Sequence, residues 1–449
     1  MKPLTAHFRR LTVLRPMLTG TLVAMLCLMP LCSPEALGQV VSGRLSTSLY
    51  TWERFDTVDV SRLYLRAFQT VQLNVVQEDV SLHTYLTGTI GTPGEAAATR
   101  FYNLYLRWAN VGKVADLSAG RQAVYAGVAT GTIDGLTAKL HLLDNKVTVL
   151  GFVGAAPTIG YRGIRSNFHD NLSMGGQIVT TALSGARFGL SYLNRKEERD
   201  PYWTLRARDT AYIPVPYYVT FEPDAEELLG LDASYNYGEL VSVYGRYDHD
   251  LNREKASRVQ GNVRVHVTPE VALTADYMHR LPRVSFNSIF SAFVQNAVDE
   301  IEGGVEYEFA PQMRAFGRLA SVTYSDEKSA RWSLGVTSGY GTASYAGGNG
   351  YAGEIQSFSV QGVYPLPEFN VVPSVGIAYA SYRLNSNEET RQAWSVVAGG
   401  TYRPLPSLSI DLQGQWLANR IYASAINGFV KVNYWFRERL SLFGQEEVR

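Results

Sequence analysis

From about residue 40 to residue 436 the chain repeats one pattern: stretches of roughly ten residues in which apolar and polar side chains alternate, the mark of half-buried strands. Val259, Gly261, Val263, Val265 and Val267 take one face, and Arg258, Gln260, Asn262, Arg264 and His266 the other. Leu63, Leu65 and Ala67 stand against Arg62, Tyr64 and Arg66 in the same way, and Val241, Val243 and Tyr247 against Ser242, Tyr244, Arg246 and Asp248. No Pro- or Ser-rich linker, long charge run or helical segment breaks the series. An all-β fold in one piece is therefore expected, although 449 residues exceed the usual size of a soluble domain. The 28 Tyr fit it, since Tyr favours pleated surfaces and interfacial belts.

The connections separate a soluble sandwich from a membrane barrel. Short turns stand at Leu143–Lys146, Ser184-Gly185, Tyr237–Glu239, Thr268–Glu270, Ala310–Gln312, Pro365–Glu368 and Pro404–Ser407. Between them come longer loops near 155–172, 195–228, 250–257, 281–297 and 384–390. Short turns at one end and long loops at the other is the outer-membrane arrangement, with strands about as long as a tilted membrane crossing requires. The expectation is a single closed antiparallel transmembrane β-barrel of about 18–22 strands. Keeping the parity beyond residue 324 puts three strands in 331–364, with a turn near Ser338-Gly339 and a loop at Gly347–Gly353, giving 22 strands that end at Ile426–Phe436. After the N-terminal segment no stretch approaches the ~20 apolar residues of a membrane helix. The mean hydropathy of −0.10 suits strands that are half wet.

Residues 1–38 read as a cleaved signal peptide. Lys2, Arg9, Arg10 and Arg15 precede the apolar run Met17–Leu31, and Ala36-Leu37-Gly38 offers a cleavage site before Gln39. The barrel then occupies 39–436, and 437–449 form a C-terminal tail or an extra edge strand. Cys27 and Cys32 both fall in the leader, so the mature chain has neither disulfide nor thiol chemistry. Leu26 and Leu31 stand where a lipoprotein needs a small residue. Cleavage takes 41 Lys+Arg and 41 Asp+Glu to 37 and 40, a net of −3, which argues against a nucleic-acid partner. The last strand, Gly428–Phe436, with Tyr434 and a final Phe436, resembles the C-terminal signal read by the barrel-insertion machinery. The tail after it departs from that pattern. Expected partners are outer-membrane lipid, that machinery and small hydrophilic solutes.

Gly120-Arg121-Gln122 followed by Asp134-Gly135 resembles bacterial outer-membrane porins of the alginate-export and porin-like kind, in which such a triplet near the end of one strand precedes a DG opening the next. The match is confined to this stretch; the rest is architectural. The resemblance implies a diffusion or substrate-guided channel, without catalysis or cofactor. On the residues alone, Gly120 and Gly135 suit a strand edge or bulge. Arg121 and Asp134 are spaced to pair across a hairpin, and both a structural motif and a substrate contact stay open.

Arg44, Arg62, Arg66, Arg107, Arg246, Arg258, Arg264, Arg314 and Arg318 share the polar rows with Asp248, Asp276, Glu302, Glu306 and Glu308. A lipid-facing Arg near the midplane costs roughly 2–4 kcal/mol, so these rows are expected to line the pore. Pairing residue 308 with 312 sets Glu306 opposite Arg314 and Glu302 opposite Arg318. That spacing fits a cross-strand salt ladder, a solute-selecting lining, or both. The arginines outnumber the acids on that face, which predicts a modest anion preference. The apolar island 287–295 suits a loop folded into the lumen or a rim segment. The aromatic part of 195–228 suits sugar stacking or an interfacial belt. Asp248-His249-Asp250 is the best hydrolytic candidate, but alternation sends His249 away from both carboxylates, and no other histidines have ligand spacing. The expected function is passive diffusion of small hydrophilic solutes. The alternatives are a plugged barrel serving as a structural or adhesion scaffold, and an outer-membrane hydrolase. Cell fractionation with N-terminal sequencing tests the export reading: the mature chain begins near Gln39 and sediments with outer membranes, and a folded periplasmic product contradicts it.

Overall fold

The structure, a computed structural model, describes residues 39–57, 60–90, 97–157, 168–208, 213–351, 353–385 and 387–440. The signal-peptide reading of 1–38 and tail residues 441–449 lie outside that set. The strands are β1 (Gln39–Thr57), β2 (Val60–Gln77), β3 (Val80–Ile90), β4 (Ala98–Val111), β5 (Ala115–Ala126), β6 (Ala129–Leu142), β7 (Val147–Ala155) and β8 (Leu172–Thr180). They continue as β9 (Ala186–Lys196), β10 (Tyr202–Arg208), β11 (Ile213–Val219), β12 (Asp224–Tyr237), β13 (Val241–Asp250), β14 (Lys255–His266), β15 (Val271–Arg280) and β16 (Val298–Ala310). The last are β17 (Met313–Tyr324), β18 (Glu327–Ser338), β19 (Gly341–Gly350), β20 (Glu354–Val363), β21 (Val371–Arg383), β22 (Arg391–Leu405), β23 (Leu408–Ala418) and β24 (Ala425–Leu440).

Apart from β10 and β11, the strands form one 22-stranded antiparallel sheet in which each pairs with its neighbour and β1 pairs with β24, so the sheet closes. The barrel is the compact unit Val41–Glu438. β9 pairs directly with β12, leaving β10–β11 as a separate hairpin. Closure and strand parity agree with the sequence expectation at its upper count.

Alternation sorts the side chains. Residues facing each other across a ladder share a face, so Val265, Leu273, Val305, Gly317 and Leu334 make one outward row. Leu273, Val305 and Leu334 are exposed there, as are Leu63, Leu106, Ile301, Leu319 and Leu412 on the same surface. Aromatics bound this band at two levels. Tyr379 and Trp394 meet at 4.5 Å near the long-loop end, and Trp416 joins them; Tyr307, Tyr402 and Tyr434 stand near the short-turn end. From Trp394 to Tyr402 along β22 is roughly 26 Å of strand at about 3.3 Å per residue. An apolar band bounded by aromatic girdles at both ends is a lipid-facing surface.

Polar side chains on the inner face fasten the seam between first and last strands. Ser46 of β1 donates to Asn433 Oδ1 of β24 at 2.6 Å, while Asn433 Nδ2 donates to Ser409 Oγ at 3.1 Å and Asp411 Oδ2 at 2.9 Å. Ser46, Ser409 and Asn433 are all buried.

Four details differ from expectation. β24 runs on to Leu440 rather than ending at Phe436, because its ladder positions continue past the aromatic. β19 runs through Gly347 to Gly350, so the loop expected at Gly347–Gly353 shortens to 351–353. The 195–228 segment contains β10–β11, whose alternating Pro214, Pro216 and aromatic residues still allow a two-stranded ribbon. At the Ala310 turn a bulge between Glu308 and Ala310 sets Glu308 opposite Arg314 and Glu306 opposite Phe316, not Glu306 opposite Arg314. Likewise Ala320, not Arg318, faces Glu302.

Asn433→Ala removes one acceptor and two donors from the seam. Leaving its buried partners unsatisfied costs about 1–3 kcal/mol. The urea midpoint for the folded-to-unfolded shift on SDS gels is expected to fall accordingly, with no change in the final β spectrum.

Candidate functional site

The GRQ and DG residues stand where a hairpin leaves the barrel wall. β4 and β5 pair as far as Leu104↔Arg121, and β6 and β7 as far as Asp134↔Ala155. Beyond those positions β5 and β6 continue pairing with each other only, from Gln122↔Ile133 to Ala126↔Ala129. Both outer ladders therefore stop at one cross-strand pair, Arg121↔Asp134, and the tip is free to bend.

Each motif residue contributes to the bend. Gly120 and Gly135 face each other. A Cβ on Gly120 would strike the Leu104 carbonyl and one on Gly135 the Val153 carbonyl, and Gly120 holds φ +124°, where L side chains rarely go. On one side of the bend Arg121 and Asp134 form a bidentate pair, Nε–Oδ1 2.5 Å and Nη2–Oδ2 2.6 Å, with Arg121 Nη1 donating to the Phe101 carbonyl at 3.1 Å. On the other, Gln122 Nε2 donates to the Ser118 and Gly135 carbonyls, and its Oε1 accepts from Thr137. Arg121 and Gln122 are buried at 7% and 5% exposure, which marks them as fixed supports.

The tip lies against the inner face of the opposite half of the hairpin's own side of the barrel. Val124, Ala126, Val128, Ala129 and Ile133 pack with Phe152 of β7, Leu193 of β9 and Leu228 of β12, making a small apolar core inside the barrel. Val128 N donates to Ser191 Oγ at 3.0 Å. Three arginines then hold the tip's carbonyls: Arg195 to Thr130 at 3.1 Å, Arg246 to Gly127 at 3.3 Å and Arg283 to Val128 at 3.5 Å. Arg195 and Arg246 are themselves paired with Glu226 and the buried Asp248.

A charged comb occupies the inner face from β14 to β18. Glu306, at 7% exposure, accepts from Arg264 at 2.8 Å and Arg314 at 3.0 Å, with Arg318 at 3.5 Å. Arg318 also lies 3.9 Å from Glu302, and Arg331 pairs with Glu300 and, at 3.2 Å, with Glu302. The two pairs expected from sequence, Glu306–Arg314 and Glu302–Arg318, thus form as diagonals of the shifted register. Arg264, Arg314, Arg318 and Arg331 face Glu300, Glu302, Glu306 and Glu308, so the excess of cations expected near Arg264 is not found in this comb.

The other charged positions lie on the same inner face but apart from the comb. Arg44 is on β1 and Arg62 and Arg66 on β2; Arg107 pairs with Asp116 at 2.8 Å; Arg258 donates to Gln260 at 2.5 Å; Asp276 accepts from Asn262 at 2.5 Å. Asp248 and His249 point to opposite faces, His249 toward Tyr247 at 3.1 Å. Among the described residues no group of three or more His, Cys, Asp or Glu is placed to hold a metal ion.

The apolar island 287–295 sits at the long-loop end, with Asn287 donating to the Glu197 and Pro223 carbonyls and Phe290, Phe293 and Val294 exposed. Among the described residues, segment 124–133 packs on the inner wall, and Arg283 of the 281–297 loop reaches its Val128 carbonyl. Its signal was available: Val124-Tyr125-Ala126-Gly127-Val128-Ala129 is uncharged and small at a position where a long-loop tip is normally polar.

No protein-family model matches the chain, and no curated protein does. Solved structures are similar over most of the chain. Pseudomonas aeruginosa OpdQ has 11% identity over 89% of this chain and 99% of its own, with a TM-score of 0.41. Acinetobacter baumannii OccAB4 has 9% identity over 89% and 98%, with a TM-score of 0.36. The translocation pore of the P pilus usher PapC has 9% identity over 88% and 99%, with a TM-score of 0.42.

Asp134→Ala removes the carboxylate from a bidentate pair while the Arg121 charge stays buried, a loss of about 3–5 kcal/mol. Joint replacement of Arg121 and Asp134 by Leu is expected to recover most of it, because no lone charge is left behind. Chemical denaturation of the three proteins in detergent checks this order.

Proposed function

We propose that the barrel is an outer-membrane channel for passive diffusion of small hydrophilic solutes, and that the β5–β6 tip is its constriction. The observation that carries this reading is the asymmetry of the inner wall. The tip and its apolar core fill the side made by β7, β9, β12 and β13. Across the barrel, β19 to β22 carry a small-side-chain wall, in rows such as Ser344, Ser359, Ala378, Ser395 and Ala346, Ser357, Ala380, Ala393. Side chains of that size leave a water-filled lane between wall and tip, as expected for a barrel too wide to fill with its own residues.

The lane has a polar lining. Its charge is mixed. The comb presents both signs side by side, so sorting by sign is expected to be weak and sorting by size to dominate, which revises the anion preference expected from counting arginines. Outward, the apolar band meets lipid, and insertion by the barrel-assembly machinery follows from the fold class.

Liposome swelling with a panel of sugars and amino acids tests the reading, with faster entry for smaller solutes expected. Removing 124–131 and closing the hairpin with a two-residue turn is expected to raise single-channel conductance severalfold, with reversal potentials in a KCl gradient staying near zero. A barrel that passes nothing larger than water is a scaffold instead.

A further inference from the structure

The inner face of β1 to β4 carries aromatic rings that neither the lipid belt nor a packed core accounts for. Alternation puts Leu63, Leu65, Leu104 and Leu106 outward, so Tyr64 and Tyr105 face in. Near the long-loop end Trp52 is stacked between Tyr50 and Tyr64, at 5.3 and 5.5 Å and interplanar angles of 19° and 20°, with the Arg66 guanidinium 5.5 Å from the Trp52 ring. Further in, a bulge between Tyr85 and Leu86 on the β3–β4 ladder lets Tyr102 stack on Tyr85 at 5.0 Å. His83 and Tyr105 stack at 4.8 Å below them, with His83 Nδ1 2.9 Å from Asn74 Oδ1. These rings are half-buried, and their exposed parts are open to the lumen.

Side-chain amides accompany the rings. Gln72 faces Tyr85, Asn74 faces His83 and Asn103 faces Tyr85, all on the same inner face. From Tyr64 to Asn74 the inner row of β2 covers roughly 33 Å at about 3.3 Å per residue, a span comparable with the membrane itself.

We propose that this strip is a binding track for neutral pyranose sugars, taken as short oligosaccharides. It rests on the channel reading and adds the solute class to it. A pyranose has one apolar C–H face and a rim of hydroxyls. Exposed ring faces accept the first, and amides that both donate and accept suit the second. A small inorganic ion uses neither. Of the arginines on this face Arg107 is bound to Asp116 and Arg66 lies over Trp52, with Arg44 and Arg62 beside them on β1 and β2, so the benzoate arm of the test separates a sugar track from an anion site.

The test is the current through single channels in a planar bilayer with maltotriose added to one side, and benzoate and sorbitol as separate probes. Wild type is expected to show brief sugar-dependent interruptions with maltotriose, and none with sorbitol, which has hydroxyls but no ring face. Trp52→Ala and Tyr85→Ala are expected to weaken the maltotriose effect about tenfold each, the factor one aromatic contact supplies. Tyr85→Phe keeps the ring and most of the effect. A KCl current at least as large as that of wild type, with heat-modifiable mobility on gels, shows that the variants are folded channels. Interruptions with benzoate and none with maltotriose overturn the proposal, as does a maltotriose effect that both alanine variants retain. In either case the salt current persists and the channel reading stands; absence of any current in wild type instead overturns the channel reading itself.

Discussion

Every backbone N–H and C=O at lipid depth has to find a partner within the protein, because hydrocarbon supplies none. A sheet meets that demand only if it has no edges. The pairing of β1 with β24 is therefore the contact on which the other ladders depend. It explains why the seam is tied by side chains as well as backbone. Asn433 on β24 uses both amide donors toward β23 and its oxygen toward β1, where a purely apolar seam would rest on the backbone ladder alone.

A closed sheet of 22 strands is too wide to be filled by its own wall residues, and among the described residues the β5–β6 tip occupies one side of the interior. The β5–β6 hairpin departs from the wall at a single ion pair and carries its own apolar core inward. The hinge works because the two ladders flanking the hairpin end together. Had β4 followed β5 for two more residues, the tip would be fixed in the wall. The facing glycines, the bidentate pair and the folded-back Gln122 are three local answers to one problem, which is how to bend a ladder without leaving buried groups unpaired.

The fold was legible in the sequence because period-2 alternation and turn parity are local quantities. Val259 to Val267 declare their face without reference to any other strand, and the alternation of short turns with long loops encodes closure. Register was less legible. The ladder places Glu306 and Glu302 two positions from the partners that pairing 308 with 312 would give, with a bulge between Glu308 and Ala310, and such turn irregularities have no composition of their own. The candidate site was legible in part. The GRQ and DG residues stood out, and Arg121 with Asp134 is a pair that spacing alone suggests. That these residues form a hinge was hidden, because it depends on where β4 and β7 stop pairing. The tip was missed for a different reason: attention to bulky apolar loop residues favours Phe290 and Phe293, whereas packing inside a wall favours Ala126, Val128 and Ala129.

The small-side-chain wall of β19 to β22 divides the barrel into two regimes of evolution. Residues around the tip are coupled as in a globular core, so a change at Leu193 or Leu228 requires compensation by its neighbours. Ser359 and Ala378 are exposed on the inner wall, and Ser395 is half-buried with its hydroxyl bound to Gln415, so a larger residue at the first two meets few packed neighbours. If the barrel conducts as proposed, single substitutions on that arc of the wall reset its size limit, while the opposite arc stays fixed by its packing.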